Sequence, residues 1–202
     1  MKKFLAIVCT AGMVLTLGGC SFGEKPDVVV STFCEALKTY DMQAAAACVT
    51  TEETVLPEME MEDEISQLLM DYMKEKAAEM TYTIEEYTVE KGEASVPVTF
   101  TYADASEVLT ETFTDYLTRG LELAFSGADD DEIEALFADV FAEKCDTVET
   151  STATATVTFL CQKTDGEWKI YDVAEEDATA LLMVMTCNLS SAMEELDASF
   201  SY

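Results

Sequence analysis

From Pro26 onward apolar residues recur at helical spacing, with Val29, Phe33, Ala36, Leu37 and Tyr40 on one stripe and Pro26 at the first turn, where its missing N–H is not needed. Asp41 interrupts the stripe, and Met42 to Val49 resumes as a second, alanine-rich helix. Thr50 to Glu64 is polar, acidic and contains Pro57, which predicts a solvated connection. A third helix follows, its apolar face made by Ile65, Leu68, Leu69, Tyr72 and Met73, with the stem of Lys76 along the core edge. The pattern then changes from helical to alternating. Thr81 to Val89 is β-branched and aromatic. After a turn at Lys91-Gly92, Ala94, Val96, Val98, Phe100 and Tyr102 are apolar at every second position, with polar Ser95, Thr99 and Thr101 between them. One side of this sheet is expected to pack on helices and the other to meet water.

A long amphipathic helix comes next, carrying Val108, Leu109, Phe113, Tyr116, Leu117, Leu121, Ala124 and Phe125 and stopped by Ser126-Gly127. Asp129 to Glu132 open another helix with Ile133, Leu136, Phe137, Val140 and Phe141 on its stripe; acids at that end favour the helix dipole. Thr147 to Cys161 alternates threonine with Ala153, Ala155, Val157 and Phe159, a second half-buried strand. Asp165-Gly166 turns it back into a return strand from Trp168 to Val173. From Glu175 one terminal helix is expected, with Leu181, Leu182, Met185, Leu189, Met193 and Leu196 docked on the body. These elements predict one α+β domain over residues 26–202.

The N-terminus reads differently. Lys2 and Lys3 precede an apolar stretch from Phe4 to Leu17, too short to span a bilayer and of the length of an export signal. Leu17-Gly18-Gly19-Cys20 resembles the lipobox of bacterial lipoproteins. That resemblance implies a signal peptide over 1–19, cleavage between Gly19 and Cys20, and a diacylglycerol on the Cys20 thiol that holds the chain to membrane lipid at the extracytoplasmic face. Residues 20–25 would be the lipidated cysteine and its tether. Loss of residues 1–19, which carry Lys2, Lys3 and no acid, leaves 183 residues and takes the formal charge from −30 to −32.

Such a charge excludes nucleic acid and anionic lipid as partners, because both need a basic surface. It does not imply disorder, since 49% of the residues are hydrophobic. The chain contains no histidine, which removes Ser-His-Asp and Cys-His chemistry and histidine metal sites. Beyond Cys9 and Cys20, the cysteines Cys34, Cys48, Cys145, Cys161 and Cys187 show no CxxC or zinc spacing. No essential disulfide is expected; Cys34 with Cys48, on facing arms of a helical hairpin, is the pair to test. Neither metal nor cofactor is expected: Asp129 to Glu132 reads as a helix cap, not a calcium loop, and Arg119 as a surface ion pair, not an anion clamp.

The opening helix with Phe33-Cys34-Glu35-Ala36-Leu37-Lys38 and Asp41, the threonine-rich strand and Asp165-Gly166-Glu167-Trp168-Lys169-Ile170 together resemble uncharacterised lipoproteins of Gram-positive, Firmicutes-type bacteria with a nuclear transport factor 2-like, cystatin-like domain. The resemblance covers roughly 26–173. It implies a curved antiparallel sheet packed against helices as a cone around a pocket, with the C-terminal helix as an addition. In some relatives an acid and a tyrosine work inside that cone, which makes Asp104, Tyr171 and, foremost, Tyr87, Tyr102, Trp168 and Asp172 the pocket candidates here; the favoured reading of the acids and tyrosines is nevertheless surface or edge, and of Trp168 core or lid. The fold implies no reaction. A non-catalytic binding or interaction module with an envelope protein or glycan as partner is the favoured role, a cone-type carrier or enzyme the alternative, and a structural envelope protein the third.

Overall fold

The computed structural model describes residues 25–50 and 64–200. The signal segment, Cys20, most of the tether and residues 51–63 of the acidic connection lie outside the described residues. No described helix is long and apolar enough to cross a membrane.

Helix α1 spans Pro26–Thr39 and ends where Tyr40 turns left-handed at φ 54°, its N–H donating to the Leu37 carbonyl and the Asp41 N–H to the Ala36 carbonyl. Asp41 then caps α2, Met42–Cys48, its Oδ1 accepting the Ala44 N–H at 2.9 Å. The polar interruption in the apolar stripe is thus a C-cap followed by an N-cap. Helix α3 is Glu64–Ala77. Strands β1, Thr81–Ile84, and β2, Thr88–Glu90, both pair with one side of β3, Glu93–Asp104. Helices α4, Ser106–Ser126, and α5, Asp130–Thr147, form a hairpin before β4, Ser151–Thr164, and β5, Glu167–Val173. The antiparallel sheet runs β1-β3-β4-β5, with β2 also on β3.

Thr81 to Val89, expected as one strand, is broken in the structure. The break falls opposite Pro97: its carbonyl still accepts the Glu85 N–H at 2.9 Å, but it has no N–H to give back, and the edge strand leaves the ladder until Thr88 meets Ser95. Both predicted hairpin turns are confirmed by positive φ at Lys91 (53°) and Gly92 (89°) and at Asp165 (55°) and Gly166 (93°), the twist a tight antiparallel connection requires. The start of β4 moves from Thr147 to Ser151 because α5 runs on to Thr147, whose hydroxyl donates to the Glu143 carbonyl at 2.8 Å.

Val96, Val98, Phe100, Val157, Phe159 and Ile170 are fully buried on the inner face of the sheet, against Val29, Val30 and Phe33 of α1. Phe159 meets Phe33 edge-on at 5.4 Å and Phe100 at 6.3 Å. The outer face carries Thr99 and Thr156 as a cross-strand pair at 3.1 Å between hydroxyls. Past α2 the chain runs along β5, where the Thr50 N–H donates to the Ile170 carbonyl at 2.8 Å and covers part of that sheet edge. A second apolar cluster lies apart from the sheet, among α3, α4, α5 and the last helix.

The single terminal helix expected from Glu175 is instead a 3-10 turn at Glu175–Asp177, α6 at Ala178–Met185 and α7 at Leu189–Phe200. Cys187 and Asn188 are both left-handed, at φ 51° and 64°, so the helix cannot continue through them. The break serves two cores: Leu181, Val184 and Met185 pack on the sheet, whereas Leu189 and Ala192 join the helical cluster. The result is an α+β fold, a curved antiparallel sheet packed against helices, as the sequence predicts.

A polar latch joins the two layers. Asp104, at the end of β3, accepts the Ser106 N–H at 3.0 Å on one oxygen and the Asn188 side-chain N–H at 3.0 Å on the other. Burial pushes its carboxyl up, but the hydrogen bonds from Ser106 and Asn188 outweigh this and hold it below the ordinary range. Asn188→Asp would set a second carboxylate against the first. It is expected to cost about 3 kcal/mol at neutral pH. Most of that loss should be recovered as acidification returns a proton to the pair, and urea titrations at neutral pH and near pH 4 measure the difference.

Candidate functional site

Four residues singled out for a pocket do not converge. Tyr102 lies opposite Ala153 and Trp168 opposite Lys163, ten residues apart along β4, or about 33 Å at strand rise. Both are inner-face core residues at 5% exposure. Tyr87 stands in the break between β1 and β2 beside Asp27 of α1; desolvation, then that carboxylate, raises its hydroxyl pKa. Strict alternation would put Asp172 on the Trp168 face. A bulge between Leu160 and Cys161 on β4 inserts an extra residue in β5, so Val173 turns inward opposite Phe159, and Asp172 pairs with Leu160 and accepts the Val173 N–H at 2.8 Å. Tyr171 is half-buried on the same strand.

Among the described residues the sheet-side interior is closely packed. Between α1, α2, α6 and the loop at Met80 a space of about 10 Å³ remains, room for a single water, lined by Leu37, Met42, Met80, Val184 and Met185. Tyr40 closes it, its hydroxyl donating to the Met185 carbonyl at 2.6 Å. Among the described residues Cys34, Cys145, Cys161 and Cys187 are free thiols, Cys145 half-buried and the other three buried. Burial pushes Cys161 up to about 12, and Cys145 and Cys187 up to about 11, so they are protonated, weakly nucleophilic core groups at neutral pH. Cys34 and Cys48 sit on α1 and α2 as expected, with the Cys48 thiol directed at the Ala44 carbonyl at 3.4 Å.

The open concavity is elsewhere, in the helical layer. An apolar cleft of about 450 Å³ is lined by Ile65 and Leu69 from α3, Leu109, Phe113 and Tyr116 from α4, Ile133 and Phe137 from α5, and Met193 from α7. Its floor is aromatic: Phe137 meets Tyr116 at 5.6 Å and Phe113 at 6.2 Å, both edge-on, and stacks on Phe141 at 6.2 Å. Phe141 in turn meets Tyr72 at 5.4 Å. Phe113 and Tyr116 had every sequence mark of core residues. What separates them from a core is that both are only half-buried and line the open cleft. Val108, Leu109 and Thr112 are buried, yet Leu117, Leu121 and Phe125, which the helical pitch turns progressively off that face, are 41%, 61% and 90% exposed, and Met193 on the cleft wall is 57% exposed.

The far side of the α4–α5 hairpin is held by charge. Arg119 binds Glu143 through two bonds of 2.8 and 3.0 Å and Asp115 at 3.2 Å; Lys144 binds Asp115 at 2.9 Å and Glu111 at 3.2 Å. Arg119 is therefore an ion-pair residue and not an anion clamp. The hydrogen bond from Lys144, then the two cationic charges, lowers the Asp115 pKa. At the start of α5, Asp129 accepts the Glu132 N–H at 3.0 Å while Glu132 accepts the Asp129 N–H at 3.3 Å, a reciprocal cap as the sequence predicts. No group of three metal-ligating side chains occurs among the described residues.

No protein-family model matches the sequence, and no curated protein matches it. Solved structures similar to this chain include two of low sequence identity. One, from Xanthomonas campestris, is described as a calcium/calmodulin dependent protein kinase II association domain; it is 17% identical, covers 73% of this chain and 81% of its own, and has a TM-score of 0.35. The other is an NTF-2 like protein of unknown function from Shewanella oneidensis MR-1, 15% identical over 72% of this chain and 90% of its own, with the same TM-score. The fold class stated above rests on the strand order and the helices packed on the sheet.

Proposed function

We propose that this protein is a lipid-anchored, extracytoplasmic binding module without catalytic activity, built on a nuclear transport factor 2-like, cystatin-like domain of a Gram-positive lipoprotein. The observation that carries the binding reading is the placement of space. The sheet-side interior is packed, and the open apolar concavity lies in the helical layer, where it faces outward. A carrier or enzyme of the cone type needs an enclosed cavity with an ionisable group inside the sheet; the Tyr102 and Asp172 offered for it lie on different faces and strands. An exposed aromatic-floored cleft suits contact with another macromolecule.

Address is supported by Lys2, Lys3, the apolar stretch Phe4 to Leu17 and Leu17-Gly18-Gly19-Cys20. Two acyl chains on Cys20 bury about 0.8 kcal/mol per methylene, enough for stable anchoring by an envelope protein of this charge. Cys20→Ala is expected to move the protein from the membrane fraction to the medium; retention in the membrane fraction overturns the anchor. For the role, photo-crosslinking in intact cells from a probe on the helical layer is expected to join a defined envelope protein or glycan. Cells that yield no crosslinked species from any face of the domain overturn it.

A further inference from the structure

We infer that the cleft and the exposed stripe of α4 form one docking groove for a cationic amphipathic helix of a partner protein. This deepens the binding-module reading above and rests on it. Phe113, Leu117 and Leu121 follow at four-residue steps as a ridge that leaves the cleft at Phe113 and turns about 40° per step toward Phe125. Its half-buried root, Phe113, lines the cleft, and Leu117, Leu121 and Phe125 meet solvent with exposure rising from 41% to 90%. From Phe113 to Phe125 is about 18 Å of helix, which a partner helix of roughly 12 to 14 residues covers.

Charge selects the occupant. Ser106 to Thr147 carries twelve carboxylates against two cations, and both cations are engaged in ion pairs between α4 and α5. Beside Met193, α7 adds Glu194, Glu195 and Asp197 and no base. The groove is therefore apolar at its centre within a strongly negative field. A second copy of this chain, itself at −30, brings like charge to the same surface, and an anionic bilayer does the same. A helix with leucine-like residues on one face and lysine or arginine on the other satisfies both features.

The test uses the mature, full-length chain and a fluorescent leucine–lysine peptide of about 14 residues with helical periodicity, at about 0.15 M salt. Anisotropy titration is expected to show binding roughly tenfold tighter than for a shuffled peptide of equal composition, and no binding of the leucine–glutamate counterpart. The triple substitution Leu117→Ser, Leu121→Ser and Phe125→Ser touches only exposed side chains. It should weaken the helical peptide by about tenfold or more while the circular dichroism spectrum stays unchanged. Equal binding of the shuffled peptide, or of the triple variant, reduces the attraction to bulk charge and overturns the groove. Sedimentation showing a dimer that the triple variant dissociates assigns the groove to a second copy and overturns the cationic partner. A cellular crosslink confined to the threonine-rich sheet face would defeat this inference and leave the binding-module reading standing.

Discussion

Phe159→Ala is expected to remove about 3–5 kcal/mol of folding stability, a large share of the roughly 5–15 kcal/mol that holds a domain of this size. Phe159 is fully buried at the centre of β4, in edge-to-face contact with Phe33 of α1 and Phe100 of β3. Its ring is where the opening helix and both central strands meet. Removing it deletes the transferred apolar area and leaves a void that three rigid elements cannot close. Phe125→Ala provides the contrast, because that ring is 90% exposed and its loss should change stability by no more than about 0.5 kcal/mol. Urea unfolding of the two variants beside the parent measures both; comparable losses would mean that the sheet-side core does not carry the fold.

The second large effect is alkaline unfolding. Burial raises the pKa of Cys161 from 9.0 to about 12, of Cys145 and Cys187 from 9.0 to about 11, and of Tyr82 from 10.0 to about 12; Cys34, Tyr40 and Tyr72 are raised further for the same cause. Each of these groups is neutral in the folded core and ionises more readily in the unfolded chain. Their contribution to stability is complete below the unfolded values of 9.0 and 10.0 and is lost as pH climbs toward the folded values. The protein should stay folded to about pH 9 and unfold cooperatively before about pH 12, with tyrosinate absorbance and loss of circular dichroism rising together. Titration of Tyr40, Tyr72 or Tyr82 near pH 10 in a still-folded protein would contradict this. At the acid end the sign reverses for Asp104, whose lowered pKa contributes stability that is lost as pH falls through its folded value.

The helical layer explains why a sequence reading misplaces the site. Phe113, Tyr116 and Phe137 sit at helical spacing and have the chemistry of core residues, and so does Phe125. Periodicity reports that a helix has an apolar face, not whether anything covers it. Here Leu117, Leu121 and Phe125 turn off the side of α4 that packs on α5, and their exposed side chains extend the groove. The reverse holds for Tyr102 and Trp168, which looked like pocket residues and are core. Asp172 leaves the Trp168 face because one bulge residue inverts the later positions on β5, and bulges leave no period in sequence.

Local rules in the sequence were sufficient for the elements. Alternation defined β3 and β4, Lys91-Gly92 and Asp165-Gly166 defined the turns, Asp41 and Asp129 defined helix starts, and Gly127 defined a helix end, each through a backbone preference that acts within a few residues. Tertiary packing alone decided where Pro97 would break the edge strand, why the chain reverses at Cys187 and Asn188, and which apolar stripe would lack a partner. Those outcomes depend on what distant segments bring to the same place, and contacts between residues far apart in the chain have no local signature to read.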